Sequence, residues 1–412
     1  YDPSDMSTLW QDSAGTVPVT AVEQPVGRIL DKSGRGNHAT QVTTTKRPVL
    51  SRRVNQMLGI EQWNNSLGTD GTSTITEELI DRPSFLNAAS VARVTKAALF
   101  GGSTWYQYSL SQPVTQGAIN TRSFFIKPIE NCVSVLGHTS VGDPFYFSYN
   151  LQTGVLTPGA NAGSVTVTQF PDGWYRFTVT QKVVEPSPSR IFAIVVNGVA
   201  GLPGVFLTTG YDSRLATDAH LPYQRVNTDT DYDADPAKFP AYLRFDGVDD
   251  ALQTGNIDFT GTDKMTVWAG VTKLSDAASG VIAHTGIYDG TPGFLLASPA
   301  AASSANMSFR ARRSVLGPTC AVSGLVAPVN CVLAGHYDAA STTARANGSQ
   351  TIDASTAGTG NFASRPLRIG SQDGVGYFFN GRLYSLIVRG AQSSLSQIEA
   401  GELYTKQKMR LP

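Results

Sequence analysis

The sequence predicts an all-β fold, and three observations carry that expectation. Apolar and polar residues alternate over many short runs of four to eight residues, the signature of half-buried strands. Turn formers are plentiful among the 412 residues, with Gly 40 and Pro 22. Charged residues make up 16%, below the usual quarter of a globular chain, which suits many short strands joined by tight turns.

The length is enough for two or three domains with substantial cores. Residues 1–50 open with Tyr1-Asp2-Pro3-Ser4-Asp5, and the Ile29-Leu30 pair reads as a strand before a Gly34/Gly36 turn. After Arg47-Pro48-Val49-Leu50 the pattern changes, and residues 51–226 read as a unit of their own. Its strands are expected at Trp105 to Leu110, Ser123 to Ile126, Cys132 to Leu136, Phe145 to Tyr149, Val165 to Thr168, Trp174 to Thr180 and Ile191 to Val196. Residues 84–96 are mixed and give no clear period. Residues 227–240, polar, acidic and proline-bearing, read as a linker. From 241 to 412 strands resume. Tyr242 to Phe259 reads as two short strands joined by an acidic turn at Asp246-Gly247, and Met265 to Val271 as an alternating strand. Later strands are expected at Val281 to Ala283, Phe294 to Leu296, Met307 to Arg310, Val332 to Tyr337, Pro366 to Ile369 and Gly381 to Arg389. Ser394 or Ser396 can cap a short closing helix.

Lys+Arg 32 balances Asp+Glu 32, which disfavours a general nucleic-acid surface. Arg310-Ala311-Arg312-Arg313 is a local basic cluster whose plain reading is a solvated strand end. No apolar run is long enough to span a bilayer as a helix. The start at Tyr1 rather than Met leads us to expect a preceding segment. Three cysteines do not make a disulfide scaffold; buried free thiols are the default reading, although Cys320 and Cys331 flank a glycine-containing segment and could meet across a hairpin.

Two sets of residues invite chemistry. Asp246, Asp249 and Asp250 could combine with Asp31 or Asn37 as oxygen ligands for calcium, which takes six to eight hard oxygens; calcium is the one cofactor these residues suggest. The competing role for Asp31 and Asp246 is to hold turns through side-chain-to-backbone hydrogen bonds. Trp105, Tyr106, Trp174 and Tyr175 are candidate sugar-stacking rings, although core packing explains any single ring as well, and Trp174 and Tyr175 point to opposite faces of a regular strand. A catalytic site is not expected. Glu77-Glu78 face opposite ways on a strand, no Gly-x-Ser-x-Gly occurs, and the five histidines are scattered singly.

Several phrases resemble known families. Phe245-Asp246-Gly247-Val248-Asp249-Asp250 resembles the signature strand of concanavalin A-like, laminin G-type jelly rolls, and Asp31-Lys32-Ser33-Gly34-Arg35-Gly36-Asn37-His38-Ala39 resembles their opening phrase. In that family the two phrases lie a few tens of residues apart. Here roughly two hundred residues separate them, so the resemblance implies a concanavalin A-like sandwich interrupted by a second sandwich. Residues 170–177 and 122–128, with Pro222-Tyr223-Gln224-Arg225-Val226, resemble carbohydrate-binding-module-like jelly rolls. As a set, these phrases are similar to structural proteins of tailed phages and prophages. That resemblance implies a virion surface protein, on a tail fibre or head, that binds host glycans without catalysis. It also implies further copies of the chain and other virion proteins as partners. A purely structural decoration role is the alternative, and a depolymerase a more distant one.

Overall fold

The computed structural model describes residues 1–412 apart from 57–72, 80, 84–85, 87–89, 97–102, 110–118, 141–145, 160–162, 183–190, 200 and 374–375. The chain is all-β, a β-sandwich interrupted by a second β-sandwich and closed by a short helix. It divides into two compact units, one of Tyr1–Arg52 with Ala234–Pro412, the other of Arg53–Asp233. Among the described residues, no helix is long and apolar enough to cross a membrane.

In the first unit, nine strands form one antiparallel sheet among the described residues. Their order is Leu9–Trp10, Arg28–Ile29, Ala39–Thr40, Leu252–Asp258, Ser364–Ile369, Val281–Thr285, Gly293–Ala297, Asn306–Arg312 and Cys320–Ser323. The facing sheet runs Ser349–Asp353, Thr342–Ala346, Val329–Tyr337, Met265–Lys273, Asn380–Arg389, Tyr242–Asp246 and Val49–Ser51. Phe294, Leu296, Phe309 and Ile369 from the first sheet meet Leu243, Val267, Leu333 and Leu386 from the second in one apolar core. Alternation along each strand produces this layer, since every second side chain points inward.

One sequence expectation changes here. Tyr242–Asp246 and Leu252–Asp258 do not pair with each other. They belong to different sheets, so the acidic turn is a crossover loop between layers. Cys320 and Cys331 sit on strands of opposite sheets, and both are buried free thiols, the default reading of the sequence.

The strand Met265–Lys273 is buried along its whole length rather than on alternate residues. The closing helix, Leu395–Lys408, supplies the second cover. Ser394 caps it in a capping box with Gln397. Trp268 donates its indole N–H to the carbonyl of Ile398 at 3.1 Å, and Arg345 grips Glu402 through two hydrogen bonds of 2.7 and 3.1 Å. Gly270 and Gly401 allow this approach. A Cβ on Gly270 would stand 2.7 Å from Thr405 and 3.1 Å from Met409, and one on Gly401 would stand 2.5 Å from the Trp268 ring.

In the second unit, the strands Ser164–Gln169, Tyr175–Lys182, Ile119–Glu130, Gly204–Leu215, Val91–Lys96 and Ser73–Glu78 form one sheet. Leu156–Pro158, Tyr146–Asn150, Cys132–Ser140, Ile191–Gly198 and Ser103–Ser109 form the other. Phe124 and Phe177 stack at 5.1 Å between centroids, and Phe147 packs on Phe177 at 5.7 Å. Where residues 84–96 gave no clear period, Val91–Lys96 is a paired strand. Buried Gln224, in the Pro-Tyr-Gln-Arg-Val phrase, closes the unit. Its carbonyl accepts from the N–H groups of Val54 and Asn55 at 2.7 and 3.0 Å, and its amide donates to the Asp233 carbonyl at 2.9 Å. One side chain thus ties the chain's entry to its exit.

Candidate functional site

The residues singled out in the sequence form two groups. Trp174 is 1% exposed, packed with Val91, Phe125 and Leu207, so its ring offers no open face. Tyr175 is half-buried, 5.9 Å from Tyr149 and 6.5 Å from Phe177 between ring centroids, and packs on the core. Trp105 and Tyr106 lie in the strand Ser103–Ser109, opposite Val195 and Ile194, and their side chains lie outside the described residues. Of the described rings, Trp174 is therefore a core residue and Tyr175 packs partly on the core.

The proposed calcium ligands divide as well. Asp31 closes its own loop: its carboxylate accepts from Ser33 N at 2.8 Å, Ser33 Oγ at 2.7 Å and Asn37 N at 3.1 Å. The Asn37 carbonyl accepts from the Tyr1 hydroxyl at 2.5 Å. Asp246, Asp249 and Asp250 do gather, each with a ligand atom within 4.8 Å of the others, and among the described residues Asp31 does not belong to that group. Asp246 Oδ1 accepts from the N–H groups of Val248, Asp249 and Asp250 at 2.8, 3.2 and 3.4 Å. Burial, with Asp246 adding its charge, pushes the Asp250 carboxyl up to about 7. In charge and donor type the three carboxylates fit a hard divalent cation, with water completing the six to eight oxygens calcium takes.

A third group was not singled out as a site by the sequence, and it lies on the outer face of the nine-stranded sheet. Arg368 stands opposite His284, His284 opposite Leu295, and Leu295 opposite Arg310, so strand pairing sets these four in one row across four strands. Their chain neighbours Ile369, Ala283, Leu296 and Phe309 point into the core, which puts the row on the outer face. Two loops fold over it. In the first, buried Ile287 anchors a single 3-10 turn between Gly286 and Gly290, both left-handed at φ +55° and +84°, and this turn lifts Tyr288 outward. In the second, the Asp373 N–H donates to His284 Nε2 at 3.3 Å, and Tyr377 stands at φ +51°, a conformation side-chain-bearing residues rarely adopt.

Together these loops display a stacked pair of tyrosine rings. The rings of Tyr288 and Tyr377 are 3° from parallel with centroids 6.2 Å apart, and the two residues are 43% and 53% exposed. Tyr288 meets the His284 ring edge-on at 5.5 Å. Charged groups frame the pair. Arg365 bonds Asp289 at 3.1 Å, and Arg368 Nε bonds Asp373 at 2.9 Å. Burial drives His284 down to about 4, against the opposing charge of Asp373, so the imidazole is neutral at pH 7. A hint was present in the sequence. Arg310-Ala311-Arg312 alternates charge and methyl on a strand, and Gly286-Ile287-Tyr288-Asp289-Gly290 brackets a tyrosine between glycines.

The chain matches no family model and no curated protein. Among solved structures it is similar to a heptameric SAP-like pentraxin from Limulus polyphemus, at 14% identity and TM-score 0.31 over 38% of this chain and 78% of that one. It is similar to the CBM40 of a Ruminococcus gnavus IT-sialidase at 14% identity and TM-score 0.28, over 36% of this chain and 97% of that one. It is also similar to domains LG4-5 of the mouse laminin alpha1 chain, at 13% identity and TM-score 0.28 over 69% and 86% of the two chains.

Proposed function

We propose that this chain binds glycans without turning them over, through the Tyr288–Tyr377 platform on the outer face of the nine-stranded sheet. The observation that carries the reading is the exposed, parallel ring pair held in place by two pinned loops. A pyranose ring presents a face of C–H groups that packs on an aromatic π face, while its hydroxyls reach polar groups at the rim. Asp289, Arg365, Arg368 and Asp373 supply such a rim.

Binding rather than hydrolysis is supported by the state of the nearby carboxylates. A glycosidase needs one carboxyl kept protonated as a general acid. Burial would raise Asp289, yet hydrogen bonds from Thr291 and the charge of Arg365 hold it below the usual carboxylate range. Asp373 is engaged by Arg368.

The set of phage-like phrases, Asp31 to Ala39, Pro222 to Val226 and Phe245 to Asp250, supports placing this binding protein on a virion surface. Other virion proteins and further copies of the chain are its proposed partners there. The deciding experiment is a glycan array with the purified chain, with calcium and with chelator, monitored for released product. Saturable retention abolished by Tyr288→Ala or Tyr377→Ala is the expected result. Absence of any retained glycan would favour the structural role, and released oligosaccharide would make the protein an enzyme.

A further inference from the structure

We infer that the glycan this platform takes is acidic, a saccharide bearing carboxylate or sulfate groups, and that Arg310 and Arg312 read the acid. The inference rests on the glycan-binding reading above and narrows its ligand class.

Arg310 and Arg312 alternate with Phe309 and Ala311, which point into the core, so both arginines leave the strand Asn306–Arg312 on the outer face. Each is anchored through Nε to a backbone carbonyl, Arg310 to Gly317 at 2.8 Å and Arg312 to Gly290 at 3.0 Å. That bond to Gly290 brings Arg312 to the loop that carries Tyr288. The charge of Arg310 acts on the Tyr288 phenol.

These two differ from the other arginines around the platform. Arg365 and Arg368 are neutralised by Asp289 and Asp373. Among the described residues no carboxylate pairs with Arg310 or Arg312, so the platform is flanked on one side by two fixed, uncompensated cations. A guanidinium held through Nε keeps its terminal N–H groups for a planar, bidentate acceptor, and its geometry is set before the ligand arrives. His284, 1% exposed, gives the row no accessible donor. Its Nε2 accepts from the Asp373 N–H, which puts the proton on Nδ1, and Nδ1 is buried with no hydrogen-bond partner. Arg310 and Arg368 stand three strand spacings apart, about 14 Å, which suits an oligosaccharide rather than one ring. The row therefore offers donors and positive charge beside an aromatic surface, and an acidic saccharide satisfies all three.

The test compares four soluble polymers of similar length: a polyuronate, a sulfated glucan, a neutral glucan and polyglutamate. Binding is measured by calorimetry with the full chain and with Arg310→Gln/Arg312→Gln. One or both acidic glycans should bind more tightly than the neutral glucan, and the variant should lose at least about tenfold of that affinity. Which acidic glycan binds identifies the anion. If the variant unfolds early, salt replaces it, since wild-type binding to the acidic glycan should weaken severalfold between about 0.05 and 0.5 M NaCl. Equal affinity for neutral and acidic glucans, insensitive to the variant and to salt, would overturn the acid while leaving the stacking platform standing. Polyglutamate bound as tightly as the polyuronate would overturn the saccharide. No binding to any of the four would remove the glycan reading itself.

Discussion

His284 stands directly opposite Arg368 between neighbouring strands, 1% exposed, with its Nε2 accepting the Asp373 N–H. A buried imidazole that serves as an acceptor resists protonation, and this has a consequence for stability. The folded-state value near 4 lies below the ordinary 6.5 because burial disfavours the cation. Its stabilising contribution is therefore complete above about pH 6.5 and is lost as pH falls toward 4. The native protein should lose up to about 3 kcal/mol across that window from this residue. His284→Gln should flatten that part of the profile. Denaturant titrations of both proteins at pH 7 and pH 4 measure the difference, and parallel profiles would show that His284 does not titrate in this way.

Removing either platform ring should weaken glycan binding far more than it weakens the fold. Tyr288 and Tyr377 are exposed, so truncation leaves no core cavity. Each lost stacking face should cost about 1–2 kcal/mol of binding, roughly tenfold in affinity, while the melting temperature moves little. Because the two rings stack on each other, the double variant should depart from additivity. Calorimetry on the two single variants and the double variant reads this directly.

Trp174 should behave in the opposite way. Its ring is enclosed by Val91, Phe125 and Leu207, so Trp174→Ala opens a cavity and should destabilise the second unit by about 3–5 kcal/mol. Glycan affinity measured below the unfolding transition should be unchanged. A loss of affinity at full folding would instead return the binding surface to the second unit.

The contrast between these rings shows what the sequence could express. Strand positions were readable because period-2 alternation is local: Ser123 to Ile126 lies inside the strand Ile119–Glu130, and Ser394 caps the helix as its side chain suggested. Burial of Met265–Lys273 on both faces was not readable, since its second cover is a helix more than a hundred residues away. The platform was hidden for a related reason. His284, Leu295, Arg310 and Arg368 become neighbours only through the register of four strands, and two separate loops bring Tyr288 and Tyr377 together. The Asp31 and Asp246 phrases were read as one ligand set because calcium takes six to eight hard oxygens. In the structure each builds its own turn.

Gln224 makes a stability prediction specific to the interrupted chain. Replacing it with Ala would leave the buried N–H groups of Val54 and Asn55 without their acceptor, at a cost of about 2–3 kcal/mol. The loss should appear in the unfolding of the second unit, where both ends of its chain are released. Hydrogen exchange at Val54 and Asn55 should rise before exchange in the core strands does. Protection unchanged at these two amides would show that the clasp is not what holds the ends.

The acidic crossover loop carries the last prediction, and its sign is opposite to that of His284. Burial and the Asp246 charge raise Asp250 to about 7, so its ionised form is disfavoured in the folded state. Folding is least hindered by this group at low pH, and the penalty grows as pH rises from about 4 through 7. Asp250→Asn keeps an oxygen for the Asp246 N–H, which bonds Asp250 Oδ2 at 3.0 Å, and removes the charge. At pH 8 the variant should be more stable than the native chain by about 1 kcal/mol or more after allowance for solvent screening, and the gain should vanish near pH 4. A divalent cation held by Asp246, Asp249 and Asp250 would relieve the same repulsion, so millimolar calcium at pH 8 should raise the native melting temperature and leave Asp250→Asn less affected. A calcium shift equal in both proteins would place the ion elsewhere. No shift in either would leave the three carboxylates with the turn alone, since Asp246 already organises that turn through three backbone hydrogen bonds.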